Sequence, residues 1–172
     1  MRLVIDMDGV LVDMLSALVE QHNRENGKSL TVEDIVEWDL SVYGIPDADF
    51  QRPGFFYSLK PYPGAVEAIR ELSQKHEIII ATNNMGIDFV KREKMGWIFT
   101  NLPYMVHDWH FTSNKAEVPG DIILDDCPAY LETYPGITVA MDRPYNRYVK
   151  TDYRVKDMRE FAELIQGLEA NK

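Results

Sequence analysis

The chain has 172 residues, of which 45% are hydrophobic and 11% aromatic, and it carries a formal net charge of −10. This length accommodates one domain with a small insertion and a sizeable buried core, and the composition excludes a disordered chain. The acidic balance argues against a basic docking surface for nucleic-acid polymers or anionic membranes, but leaves room for a small anion at a locally positive site.

Cys127 is the single cysteine, so no intrachain disulfide is expected. Met1-Arg2 runs directly into Leu3-Val4-Ile5 with no leader-like apolar stretch. No window approaches the ~20 apolar residues of a membrane span. The expected setting is cytoplasmic, with no membrane partner.

Residues 2–6 (Arg-Leu-Val-Ile-Asp) form a β-branched run that ends in acid just before Gly9, the pattern of a buried strand stopping at a loop. Residues 13–26 place Leu15, Leu18, Val19 and His22 on one helical face, and Gly27 is a natural stop. Residues 28–60 crowd Trp38, Tyr43, Phe50, Phe55, Phe56 and Tyr57 among Pro46, Pro53 and Gly54, which reads as short helices and loops. A helix over 64–75 puts Ala65, Ala68, Ile69 and Leu72 on its buried face. Residues 77–82 are a second buried strand and 87–98 another helix. A strand is expected at Tyr104–His107, and His107-Asp108-Trp109-His110 is read as a loop, because it lacks the spacing and further ligands of a zinc site. Residues 121–126 and 137–141 are the third and fourth core strands, with a short helix after Pro128 and an amphipathic helix over 156–168.

Apolar strands alternating with helices predict an α/β fold with a parallel sheet, and the aromatic segment between the first two strands reads as an inserted cap. Three of the strands finish in polar residues: Asp6 and Asp8, then Thr82, then Asp125 and Asp126. Carboxyl ends of parallel strands point one way, so these residues are expected to converge. Each alone has an ordinary structural role: Asp-x-Asp-Gly makes turns, and Asp125-Asp126 can cap a helix. Together, four carboxylates at neighbouring strand ends repel unless a hard cation sits among them, and an oxygen-only donor set suits Mg²⁺.

Asp6-Met7-Asp8-Gly9-Val10, the apolar strand ending in Thr82, Lys115, and Ile123-Leu124-Asp125-Asp126 resemble, in order and spacing, the four motifs of the haloacid-dehalogenase-like phosphatases. Gly54-Phe55-Phe56 and Pro61-Tyr62-Pro63-Gly64-Ala65-Val66-Glu67-Ala68 resemble the 5′(3′)-deoxyribonucleotidase branch of that superfamily. The resemblance implies a Rossmann-like three-layer core (residues 1–13 and 61–172) with a small, mainly helical cap over about 14–60, the whole forming one catalytic domain. It implies Mg²⁺-dependent hydrolysis of deoxyribonucleoside monophosphates through an aspartyl-phosphate. A small phosphomonoester is then the partner, and the reading is compatible with a homodimer.

By the same resemblance Asp6 is the nucleophile and Asp8 the general acid and base. Asp6, the Asp8 backbone carbonyl and Asp126 hold the metal, with neighbouring Asp125 as a supporting or water-mediated partner. Thr82, Asn83 and Lys115 hold the phosphoryl group, helped by backbone N–H groups near Gly9 and at Asn83. Met14, Trp38 and Phe50, then Phe55 and Phe56, are the candidates to line a nucleoside pocket. Two positions depart from the branch: Asn83-Asn84 follow the threonine where small Ser-Pro-like residues are usual, and Cys127 stands where Arg is common. Other readings are a phosphatase of the same fold acting on a sugar phosphate, and a non-catalytic nucleotide or metal binder.

Overall fold

The computed structural model describes residues 1–170. Six strands form one all-parallel sheet: β1 (Arg2–Ile5), β2 (Glu77–Thr82), β3 (Asp108–Phe111), β4 (Ile122–Asp125), β5 (Ile137–Met141) and β6 (Tyr153–Val155), in the order β3-β2-β1-β4-β5-β6. The helices are α1 (Met14–Asn26), α2 (Phe55–Ser58), α3 (Ala65–Leu72), α4 (Asp88–Asn101), α5 (Pro128–Thr133) and α6 (Met158–Ala170). The order reverses between β1 and β4, and such a switch point opens a crevice at the strands' carboxyl ends.

The four central strands are apolar because both of their faces are covered. Leu3, Ile5, Ile78, Ile80, Ile122 and Leu124 point into the larger core, which α3 and α6 close with Ala68, Ile69, Leu72, Phe161 and Ile165. The intervening Val4, Ile79, Ala81 and Ile123 point to the other face, against Val118 and Tyr134. Glycine at position 120 is needed there, since a Cβ would lie 2.4 Å from Val4 Cγ2.

Between β1 and β2 the chain forms α1, three single 3₁₀ turns (Val32–Asp34, Leu40–Tyr43, Asp47–Asp49) and α2. Asp13 caps α1 by accepting from Ser16 N–H (3.2 Å), and Gly27 ends it in the left-handed region. This insertion does not have a core of its own: Leu15, Leu18, Ile35, Ile45, Phe55 and Phe56 belong to the same buried cluster as the sheet. Trp97 of α4 ties it down further by donating to Leu59 O (2.7 Å).

The expected strand at Tyr104–His107 lies instead at Asp108–Phe111, and the tetrapeptide read as a loop is largely that strand. Tyr104 sits at φ +63°, which ends any extended run there. His107 Nδ1 accepts from Ile78 N–H (3.0 Å), and His110 pairs with Asp108 (3.0 Å), so the two histidines serve the sheet edge. The short edge strand β6 has no counterpart among the sequence expectations.

Phe161 is fully buried in the larger core. Phe161→Ala is expected to cost about 3–5 kcal/mol of stability in urea unfolding. A loss below about 1 kcal/mol would contradict this account of the core.

Candidate functional site

Strand pairing brings the first two acids together. Ile5 is in register with Leu124, and Asp6 N–H donates to Leu124 O (3.0 Å), carrying the β1–β4 pairing one residue further. Asp6 therefore comes beside Asp125 and Asp126 at the switch point. Lys115, on the 3₁₀ turn Lys115–Glu117 that precedes β4, reaches between them. Its Nζ is 2.6 Å from Asp6 Oδ1 and 2.6 Å from Asp125 Oδ2. The Tyr130 ring lies 4.5 Å from the same Nζ. Burial pulls the Lys115 pKa down, but Asp125 and Asp6 outweigh it and hold the ammonium charged.

The loop after β1 is tight. Leu11 and Val12 N–H both donate to Met7 O (2.8 and 3.0 Å), which turns the Asp8 side chain toward the site. Gly9 adopts φ +71°, and a Cβ there would fall 2.0 Å from Asp126 Oδ2, so this position requires glycine. Gly9 N–H itself donates to Val12 O (3.0 Å), so this one donor of the turn serves the loop. Arg143 Nε fastens the loop from the far side by donating to Gly9 O (2.9 Å).

Asp8 Oδ2 is held by Lys94, a residue the sequence reading did not single out. Lys94 is fully buried, and its Nζ also donates to Thr82 Oγ1 (2.9 Å) and Asn83 O (2.7 Å). A signal for it exists: positions 90, 94, 97 and 98 of α4 share its buried face, and a lysine stands among Val, Trp and Ile.

Asp126 has no Lys or Arg within salt-bridge distance among the described residues. Its Oδ2 accepts from Tyr145 O–H, a second contact without a sequence expectation. Burial, followed by the charges of Asp6 and Asp125, pushes the Asp126 carboxyl well above its ordinary range. Burial also raises Asp125, to about 7, against the pull of Lys115, and it raises Asp8 against the pull of Lys94. One buried carboxylate oxygen each from Asp6, Asp125 and Asp126 lies within 4.8 Å of the others. This all-oxygen, over-acidic cluster fits a hard divalent cation.

A cavity of about 340 Å³ opens on the cluster. Its lining includes Asp6, Asp8, Asn83, Lys115 and Asp126 together with Met14, Trp38, Phe50 and Phe56. Phe55 packs in the core instead. Trp38 is half exposed and meets the Tyr145 ring edge-on, with centroids 5.3 Å apart. Of the two departing positions, Asn83 keeps its side chain within the site, donating to Tyr130 Oη (3.3 Å) and accepting from Met85 N–H (2.7 Å). Cys127 donates its N–H to Asp125 Oδ1 (2.9 Å). Burial and the Asp125 charge push its thiol up to about 12, which rules out a ready thiolate nucleophile.

This switch-point arrangement is the architecture of the haloacid-dehalogenase-like hydrolases. L-2-haloacid dehalogenase from Xanthobacter autotrophicus superposes with a TM-score of 0.65 at 11% identity, covering 96% of this chain and 98% of that one. A haloacid-dehalogenase-like hydrolase from Streptococcus pneumoniae gives a TM-score of 0.60 at 15% identity, with 96% and 98% coverage. Within that class the chain belongs to the family described as 5′ nucleotidase, deoxy (pyrimidine), cytosolic type C, whose pattern matches residues 1–172. It is 28% identical over 162 residues to the 5′(3′)-deoxyribonucleotidases of Bacillus subtilis and of Bacillus phage SPbeta, covering 92% of this chain and 94% of each relative. Among the described residues no helix is long and apolar enough to cross a membrane.

The raised carboxyls have a consequence for pH. Folded Asp125, at about 7, holds its proton more tightly than an unfolded Asp at 3.8, as do Asp8 and Asp126. For the metal-free protein this stabilisation is complete below the unfolded value and lost as pH rises through the folded one. A divalent cation favours the ionised forms and offsets that loss. The gain in Tm on adding the cation, against a chelator control, is expected to grow from about pH 5 to about pH 8. An equal gain at both would contradict the cluster as the cation site.

Proposed function

We propose that this protein is a Mg²⁺-dependent phosphomonoesterase for deoxyribonucleoside monophosphates, working in two steps through Asp6. The observation that carries the reading is one cavity lined both by the strand-end carboxyls Asp6, Asp8 and Asp126 with Lys115 and by the aromatic and thioether side chains of Trp38, Phe50, Phe56 and Met14. The polar set suits a phosphoryl group and the apolar set a flat base on its sugar. Family membership and the named activity of the Bacillus relatives support the same conclusion.

Asp6 attacks phosphorus while the bond from phosphorus to the sugar oxygen breaks, and Asp8 gives its proton to that oxygen. A water then returns a proton to Asp8 and attacks phosphorus, and the bond to Asp6 breaks to release inorganic phosphate. The Lys115 ammonium and the Thr82 hydroxyl hold the phosphoryl oxygens throughout. Mg²⁺ held by Asp6, Asp126 and the Asp8 backbone carbonyl would neutralise the charge between nucleophile and substrate and on the oxygens around phosphorus. Asp125 supports this set rather than joining it, since its two oxygens already accept from Lys115 and the Cys127 N–H. The insertion over residues 14–60 acts as the cap that selects the substrate, with Trp38, Phe50 and Met14 against the nucleoside.

The test is a panel of phosphomonoesters with Mg²⁺ and with chelator. Deoxyribonucleotides such as dUMP and dTMP are expected to exceed sugar phosphates in kcat/KM, and the chelator to abolish turnover; a preference for sugar phosphates would overturn the substrate assignment. Asp6→Asn is expected to lower kcat by on the order of 10³-fold or more with the fold intact. Trp38→Ala and Phe50→Ala are expected to raise KM for nucleotides by roughly 5- to 100-fold, as a lost stacking contact of about 1–3 kcal/mol would. Rates for p-nitrophenyl phosphate should stay near wild type, and equal losses on both substrates would remove these residues from base recognition.

A further inference from the structure

A lysine that is entirely buried on a helix needs a reason, because an unpaired buried ammonium is costly. Lys94 has three partners for its three protons: Asp8 Oδ2, Thr82 Oγ1 and Asn83 O. The Phe56 ring covers it, with Nζ 4.5 Å from the ring centroid. No proton is left for a substrate oxygen. Asp8, Asn83 and Phe56 line the cavity, whereas Lys94 lies behind them. Lys115, by contrast, lines the cavity, with Asp6, Asp125 and the Tyr130 ring about its Nζ. The two buried lysines of the site therefore do different work.

What Lys94 leaves open on its partners points to its role. With Oδ2 taken, the other Asp8 oxygen, Oδ1, is buried and has no hydrogen-bond partner. Oδ1 is therefore the Asp8 oxygen not committed to Lys94. The Thr82 hydroxyl accepts from Lys94, so its own proton points away from the ammonium. Asn83 O is drawn back toward α4 in the same way, which sets the turn after β2.

We propose that Lys94 is a positioning residue for phosphoryl transfer: it turns Asp8 Oδ1 toward the leaving oxygen and the Thr82 proton toward the phosphoryl group without touching the substrate. This rests on the phosphatase reading above and adds a residue to it. In the first step Asp6 forms a bond to phosphorus, the ester P–O bond breaks, and the proton on Asp8 Oδ1 passes to the departing oxygen. The Asp8 carboxylate left behind stays paired with Lys94 until water returns the proton.

The role predicts a dependence on the leaving group. A deoxyribose oxygen needs a proton to depart, whereas p-nitrophenolate leaves readily without one. Single-turnover rates of the first step are measured for wild type, Lys94→Met and Lys94→Gln on dUMP and on p-nitrophenyl phosphate. If dUMP is not turned over by wild type, the best aliphatic phosphomonoester from the panel replaces it. Both variants are expected to lose at least tenfold more on the aliphatic ester than on the aryl ester, general acid catalysis being worth about 10²–10⁴-fold. In an Asp8→Asn background, Lys94→Gln should add no further discrimination between the esters.

Losses equal on both esters, or a dUMP rate unchanged by Lys94→Gln, would overturn the assignment while leaving the nucleotidase reading standing. Wild type active only on a non-nucleotide ester would remove the nucleotide reading and leave the Lys94 test intact. Wild type inactive on every ester would overturn both. Lys94→Gln keeps a donor for Thr82 and Asn83, so the test holds if Lys94→Met does not fold.

Discussion

Parallel strands end on one side, and in this chain that geometry gathers four carboxylates where two neighbouring strands stop. Their mutual repulsion in a buried setting is the constraint on which the site depends. The protein answers it with alternating charge. Lys115 stands between Asp6 and Asp125, and Lys94 stands against Asp8. Among the described residues, the Asp126 carboxylate receives a neutral phenol, from Tyr145, and no salt bridge. The imbalance that remains is centred on Asp126 and Asp6, and a divalent cation is proposed to answer it. The acidic character of the chain is therefore no obstacle to an anionic substrate: the site draws positive charge from two buried lysines, and the proposed metal would add to it.

The same compensation sets the placement of the insertion. Phe56 roofs Lys94, and Trp38 meets the edge of Tyr145, whose hydroxyl reaches Asp126. Side chains proposed to meet a nucleoside are thus one contact away from groups that order the two aspartates. Because the insertion shares its buried cluster with the sheet, these contacts rest on a common core rather than on a separate lobe. Displacing the insertion would disturb the surroundings of Asp8 and Asp126 together.

Much of this was legible in the sequence where physics acts locally. The central strands are continuous apolar runs because both faces are covered, and their polar ends are brought together as the pattern put them: Asp6, Asp125 and Asp126 cluster, and Thr82 shares Lys94 with Asp8. The edges were harder. Asp108–Phe111 and Tyr153–Val155 are short and half-wet, so they lack the apolar run that marks a buried strand, and the first was placed four residues too early. Lys94 was hidden differently, since a single lysine in a helix is ordinarily solvated and only its position among Val90, Trp97 and Ile98 marks it. Tyr145 and Arg143 carried no local sign at all, because their partners Asp126 and Gly9 are distant in the chain and meet them only once β5 lies beside β4.

The central claim is that the phosphoryl group passes through Asp6. Acid quenching of the protein during turnover of a deoxynucleotide labelled in its phosphate, followed by borohydride reduction and peptide mass analysis, reads this directly. The account predicts an acid-stable, hydroxylamine-labile label and a reduced aspartate at position 6 alone. Label on another residue, or full turnover with no trapped phosphoryl-protein under conditions where the second step is rate-limiting, would contradict it.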